Sequence, residues 1–208
     1  MHIRAAAPKD AEAVARLIYL AGKSHLDVSV YDLMFPGGVE EKLQKLAALF
    51  TASTPSFYHH SHYLVGEVDG EIAGCLCGFN EGLAGGNLLR EALAEIGIDR
   101  AEGKAMYARM QPFYRVNPGH YKDSWVVEHV AIFPEYRRRG VVTTLLEEIL
   151  RLGGERGYGC AELNMLIGNE PARRAYERAG FVAAEEKTDD EFMRIFNCPG
   201  MLRMYREL

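Results

Sequence analysis

The stretch Pro134-Glu135-Tyr136-Arg137-Arg138-Arg139-Gly140-Val141-Val142-Thr143 joins an apolar, strand-like run to an amphipathic helix. Arg137, Arg138 and Arg139 therefore crowd the positive end of a helix dipole, where each cation is disfavoured by roughly 0.3–1 kcal/mol. An anion seated on the free N–H groups of the first turn reverses that sign, and Gly140 lets it approach closely. These residues read either as a phosphate or pyrophosphate site or as a solvated basic turn. Just upstream, Glu128 interrupts an apolar run, with Trp125-Val126-Val127 before it and Val130-Ala131-Ile132 after it. A carboxylate in a buried strand is costly without partners, and burial raises its pKa toward that of a usable general base. The other reading is a Glu at a bulge, facing solvent or an arginine. His129 is the alternative base, but strand alternation points it to the opposite face from Glu128. Downstream, Asn169 reads as the N-cap of a helix that has Pro171 in its first turn. Tyr176 shares a helical face with Ala172, Ala175 and Ala179, and on that pattern alone reads as a core tyrosine.

Two further groupings carry less chemistry. His59, His60 and His62 cluster before a strand but lack the carboxylate or cysteine set of a metal centre, so no metal is expected. Cys75 and Cys77 fall on one strand face as small core residues. There is no C-x-x-C, and four cysteines in 208 residues are too few for a disulfide scaffold.

The elements that position these residues follow from periodicity. A strand is expected over residues 1–6, then a helix capped by Asp10, running through Leu20 and ended by Gly22. A second helix is expected from Val39 to Phe50. Strands from Tyr63 to Val68 and Ile72 to Phe79 flank Asp69-Gly70, a hairpin signal. Helices are expected over Leu88–Ile96 and Ala101–Met110. There follow a strand from Trp125 to Phe133, a helix from Val141 to about Arg156, a strand from Cys160 to Ile167 and a helix from Pro171 to Ala179. Short strands at Phe181–Ala184 and Met201–Arg206 complete the chain. Mixed strands and helices with hairpin and crossover connections imply an α/β or α+β sheet protein.

The order strand, Arg137-x-x-Gly140 turn, helix, strand, then Asn169-x-x-Ala172-x-x-x-Tyr176-x-x-x-Gly180-Phe181 resembles the GCN5-related N-acetyltransferase (GNAT) family. The opening Ile3-Arg4-x-Ala6-x-x-x-Asp10 is similar to that family's first strand and helix. The resemblance covers the chain except about Gly82–Asp123, which reads as an insertion into a single domain of residues 1–208. It implies a mixed, mostly antiparallel, twisted sheet flanked by helices, and transfer of an acetyl group from acetyl-CoA to a primary amine by direct attack in a ternary complex. It further implies that Val130, Ala131 and Ile132 offer backbone groups to the pantetheine arm and thioester. Arg137, Arg138, Arg139, Gly140, Val141, Val142 and Thr143 would wrap the pyrophosphate, and Asn169 would bond the pantetheine arm. Tyr176 would line the cofactor and protonate the departing thiolate, and Glu128 would act as the base. The family loop usually ends in Gly or Ala where this chain has Val142, which bears on how closely the pyrophosphate approaches. The insertion carries Met106, Tyr107 and Met110 at helical spacing, which suggests burial. Because it leads into the Trp125 strand, Tyr107 and Tyr114 are expected to line the acceptor pocket.

Charge and hydropathy narrow the alternatives. A net charge of −5 and a pI near 5.8 argue against nucleic acid as a partner. No apolar run reaches transmembrane length, and Met1-His2-Ile3-Arg4 does not open a secretory signal, so a cytoplasmic protein with no membrane partner is expected. Dimers are common in the resembled family, which leaves a homodimer open. A non-catalytic acyl-CoA-binding or regulatory module is the alternative function; it would retain the arginine loop without needing Tyr176 and Glu128.

Overall fold

The computed structural model, which describes residues 1–208, contains strands β1 (His2–Ala5), β2 (Tyr63–Val68), β3 (Glu71–Phe79), β4 (Trp125–Ile132), β5 (Cys160–Leu166), β6 (Val182–Thr188) and β7 (Gly200–Glu207). They form one sheet in the order β1-β2-β3-β4-β5-β7-β6. Every neighbouring pair is antiparallel except β4 and β5, which run parallel. The helices are α1 (Ala11–Lys23), α2 (Val30–Met34), α3 (Val39–Phe50), α4 (Glu81–Ala84), α5 (Gly86–Glu95), α6 (Arg100–Arg109), α7 (Gln111–Val116), α8 (Val141–Glu155), α9 (Glu170–Arg178) and α10 (Asp190–Phe196). None is long and apolar enough to cross a membrane.

Apolar alternation along the strands supplies both faces of the sheet. Leu145, Leu146 and Ile149 of α8 pack with Leu64, Leu76, Trp125 and Val127 on one side. Val14, Leu17 and Ile18 of α1 and Leu46, Leu49 and Phe50 of α3 pack with Val65, Cys75, Cys77 and Val126 on the other. Cys75 and Cys77 are fully buried free thiols.

Two expectations near the N-terminus fail for physical reasons. Asp10 sits at the N-cap of α1 but does not cap it; its carboxylate accepts from Ala7 N–H at 2.8 Å and pairs with Arg4 at 2.7 Å. That guanidinium holds the Asp10 carboxyl below its ordinary range, against the opposing effect of burial. Gly22 does not end α1, which runs on to Lys23. Its lack of a side chain serves packing: a Cβ there would lie 2.5 Å from the Tyr31 ring. Four short helices, α2, α4, α7 and α10, went unread, and β6 extends further than the expected Phe181–Ala184.

Candidate active site

β4 departs from regular pairing twice. Cys77 pairs with Glu128 and Cys75 with Ala131, so His129 and Val130 together oppose Leu76. This β-bulge puts His129 at φ +54°, in the left-handed region that side chains other than glycine seldom occupy. On its other edge β4 pairs with β5 only at Trp125–Ala161 and Val126–Glu162, and beyond that the two strands separate. Phe133 N–H bonds Ala73 C=O at 2.9 Å. Antiparallel alternation then turns the Ala131 backbone groups toward β3, and those of Val130 and Ile132 toward the opened edge.

The bulge also overturns the strand-parity argument for His129. With one extra residue inserted, Glu128 and His129 both lie on the α1–α3 side, where His129 packs among Tyr31, Phe57, Tyr58 and Tyr63. Tyr31 Oη lies 2.9 Å from His129 Nε2, and Tyr63 Oη lies 2.6 Å from Nδ1. Tyr58 Oη donates to Tyr31 Oη at 3.4 Å. Burial lowers the His129 pKa against the opposing charge of Glu128, so the imidazole is neutral with both nitrogens occupied.

Glu128 is placed otherwise. Its Oε1 lies 3.3 Å from His120 Nε2, and its side chain is 24 % exposed. Burial acts to raise its pKa, but His120, with His129 adding to it, outweighs burial and the carboxyl falls below its usual value. The expected upward shift is therefore corrected: a partner that the sequence did not reveal keeps Glu128 ionised. His120 is itself flanked by a second carboxylate, with Nδ1 3.7 Å from Glu162 Oε1. Desolvation acts to lower the His120 pKa, yet Glu128, Glu162 and Glu81 together raise it.

On the far side of the bulge, Gly140 has φ +81° at the N-cap of α8, and Arg138 has φ +62°. No side chain caps α8, so the N–H groups of Val141, Val142 and Thr143 have no helical acceptor. Space around Gly140 is open, with nothing within 4 Å of a notional Cβ, so backbone conformation is what demands glycine there. Arg139 stacks over Tyr136 at 5.5 Å, while Arg137 and Val142 line the cavity described below. Asn169 caps α9, accepting from Ala172 N–H at 3.2 Å, and its amide donates to Ser24 Oγ at 2.7 Å, tying α9 to the end of α1. Tyr176 of α9 is buried against Phe181, and burial raises its phenol above the ordinary value, so it keeps its proton at neutral pH.

These groups share one cavity of about 1320 Å³, bordered by Glu128 through Ile132, Arg137, Val142, Asn169 and Tyr176, and by His120, Tyr31 and Tyr58. Helices α5 and α6 form its outer wall. Arg109 fastens α6 to α2, donating to Leu33 C=O at 3.0 Å and to Met34 C=O at 3.3 Å. Met106 and Met110 are buried, but Tyr107 is 61 % exposed, against the expectation of burial from helical spacing. Tyr107 and Tyr114 lie with ring centroids 5.3 Å apart on the cavity wall. His59, His60 and His62 lie elsewhere, His59 bonded to Ser61 and His62 to the Pro55 carbonyl, and no group of three or more His, Cys, Asp or Glu is arranged to hold a metal.

Sequence reasoning missed His120, Glu81, Tyr31 and Tyr58, which no local pattern marks. Glu162 did carry a signal, since it is a charged residue inside an apolar strand, as Glu128 is.

The acetyltransferase (GNAT) family model matches residues 28–181. No curated protein matches the sequence. Among solved structures, an N-acetyltransferase from Staphylococcus aureus is similar, with a TM-score of 0.71 and 22% identity over 100% of both chains. A ribosomal-protein-alanine N-acetyltransferase from Brucella melitensis has a TM-score of 0.57 and 18% identity, again over 100% of both chains. A Mycobacterium tuberculosis protein in complex with CoA and NLQ has a TM-score of 0.52 and 12% identity, covering 100% of this chain and 99% of that one.

Proposed function

Because this chain belongs to the GNAT acetyltransferase family, we propose that it moves an acetyl group from acetyl-CoA to a primary amine by direct attack within a ternary complex. The observation that carries this reading is the joint presence, on one cavity, of a bulged and splayed β4 and the uncapped first turn of α8. Acetyl-CoA fits that pair of features. Its pyrophosphate meets the N–H groups of the Gly140–Thr143 turn with Arg137, Arg138 and Arg139 around it. Val130 and Ile132, whose main-chain donors and acceptors face the opened edge of β4, would hold its pantetheine arm, with Ala131 holding the strand to β3. Asn169 already spends its side chain on Ala172 and Ser24, so its part is to fix α9 beside that arm.

When bound, the cofactor supplies a thioester carbonyl activated toward nucleophiles. A main-chain N–H on the opened edge stabilises the negative charge that develops on the thioester oxygen. Tyr176, kept protonated by burial, gives its proton to the leaving sulfur, a transfer worth about 10²-fold. Ionised Glu128 faces the acceptor and draws in its ammonium group, and Tyr107 and Tyr114 wall the acceptor side. Titration calorimetry with acetyl-CoA tests the reading: saturable one-site binding is expected, and no heat of binding at millimolar ligand overturns it. A non-catalytic acyl-CoA module would bind equally well but release no CoA thiol on adding amines.

A further inference from the structure

His120 lines the cavity and is nine-tenths buried, yet its Nδ1 has no hydrogen-bond partner. It hangs between two carboxylates, Glu128 at 3.3 Å from Nε2 and Glu162 at 3.7 Å from Nδ1. Glu162 is fully buried and held in place, its Oε1 accepting from Tyr121 N–H at 2.7 Å and from the Ser124 hydroxyl, while its Oε2 is unpartnered. Glu81 of α4 adds a third negative charge, and the edge of the Phe79 ring closes the β3 side. An imidazole so flanked has one function that structure alone does not require: it can hold an added proton next to the group that faces the acceptor. His129, one residue from Glu128, cannot, because both its nitrogens are taken by tyrosines.

We infer that His120 is the terminal proton acceptor of the reaction, receiving the amine's proton through Glu128 while Glu162 stabilises the imidazolium that results. The inference rests on the acetyl-transfer reading above. The bound ammonium first gives one proton to the Glu128 carboxylate, which frees the nitrogen lone pair to form the new C–N bond as the C–S bond breaks. Glu128 relays a proton to His120 Nε2, with Nδ1–H turned toward Glu162. The sulfur leaves with the C–S electron pair and takes the Tyr176 proton, the second proton lost by the attacking nitrogen passes through solvent to the Tyr176 phenolate, and the imidazolium gives its proton to solvent. Because His120 acts through Glu128, its signature is a pH profile more than a contact with substrate. The groups that set this profile are the carboxyls of Glu81, Glu128 and Glu162, so the neutral, proton-accepting imidazole prevails only above its ordinary pKa of 6.5.

The test combines a spectroscopic and a kinetic arm. Imidazole resonances, assigned with His120→Gln, are titrated by NMR in the wild type, Glu128→Gln and Glu162→Gln. The His120 midpoint is expected above 6.5 in the wild type and lower in each variant, because each removes a negative neighbour. The kinetic arm uses the fastest acceptor from a panel of amino acids, polyamines, arylalkylamines and peptide N-termini. Wild-type kcat/KM is expected to rise with pH through that same midpoint. His120→Gln should lower kcat by about 10²-fold and abolish that limb, with acetyl-CoA affinity close to wild type. Glu162→Gln should move the limb to lower pH, which a purely structural role would not do. A limb that persists in His120→Gln, or a His120 midpoint at or below 6.5, overturns the inference and leaves acetyl transfer standing. Failure of the wild type to acetylate any amine overturns instead the reading on which it rests.

Discussion

At the Arg137–Thr143 end of the cavity the free polar groups are main-chain N–H groups, delivered by one continuous stretch and by the left-handed turn at Gly140. At the other end they are side chains, Glu81, His120, Glu128 and Glu162, delivered by four separate segments. One end suits a ligand with a fixed charged handle and tolerates varied side chains as long as the backbone holds its shape. The other depends on the identity and spacing of individual titratable groups. Substitutions at the first end should therefore act on cofactor affinity and those at the second on turnover.

The largest expected break between the two ends comes from Tyr176→Phe. It removes one proton donor and leaves the ring against Phe181, so kcat should fall about 10²-fold while calorimetry finds acetyl-CoA affinity unchanged. An equal loss of both would return Tyr176 to the core. Gly140→Val should do the reverse. A Cβ in the left-handed region costs about 1–2 kcal/mol, which corresponds to roughly tenfold weaker acetyl-CoA binding. Since open space surrounds Gly140, the remaining turnover at saturating cofactor should approach wild type. Smaller still is Tyr107→Ala or Tyr114→Ala. An exposed ring facing a cation contributes about 0.5–1 kcal/mol, so KM for the amine should rise a few-fold with acetyl-CoA affinity intact.

The subtlest contrast lies within the acceptor end, between its two imidazoles. The His129 pKa is lowered by burial, so its contribution to stability is present above the unfolded value of about 6.5 and is lost as pH falls toward the folded value. The His120 pKa is raised, so its contribution is present below about 6.5 and is lost as pH rises through the folded value. Melting temperatures between about pH 5 and 8 should bring wild type and His129→Gln together on acidification, and wild type and His120→Gln together on alkalinisation. Parallel trends for the two variants would remove the distinction.

What could be read from the sequence follows the same division. The strand, turn and helix around Arg137–Thr143 are local, and so were visible in periodicity and in the spacing to Asn169 and Tyr176. Helices α3 and α8 and the β2–β3 hairpin were legible for the same reason. The acidic end was half legible. Glu128 stood out as a charge in an apolar strand, but the sign of its pKa shift depends on His120, which arrives from the loop before β4. The orientation of His129 depends on a bulge whose only sequence trace is a polar pair inside an apolar run. Gly22 was misread because a helix terminator and a glycine needed for a close approach to Tyr31 look alike until the partner is known. Tyr107 stands exposed on the cavity wall and not in the core, because helical spacing gives a face, not what covers it.

The most direct test of the whole account is mass-spectrometric analysis of an amine panel incubated with acetyl-CoA and the wild-type protein, with free CoA thiol counted in parallel. The account predicts at least one N-acetylated amine formed in equal amount to the released thiol, with both falling together in Tyr176→Phe. Release of thiol without an acetylated amine, or binding of acetyl-CoA with neither product, would contradict it.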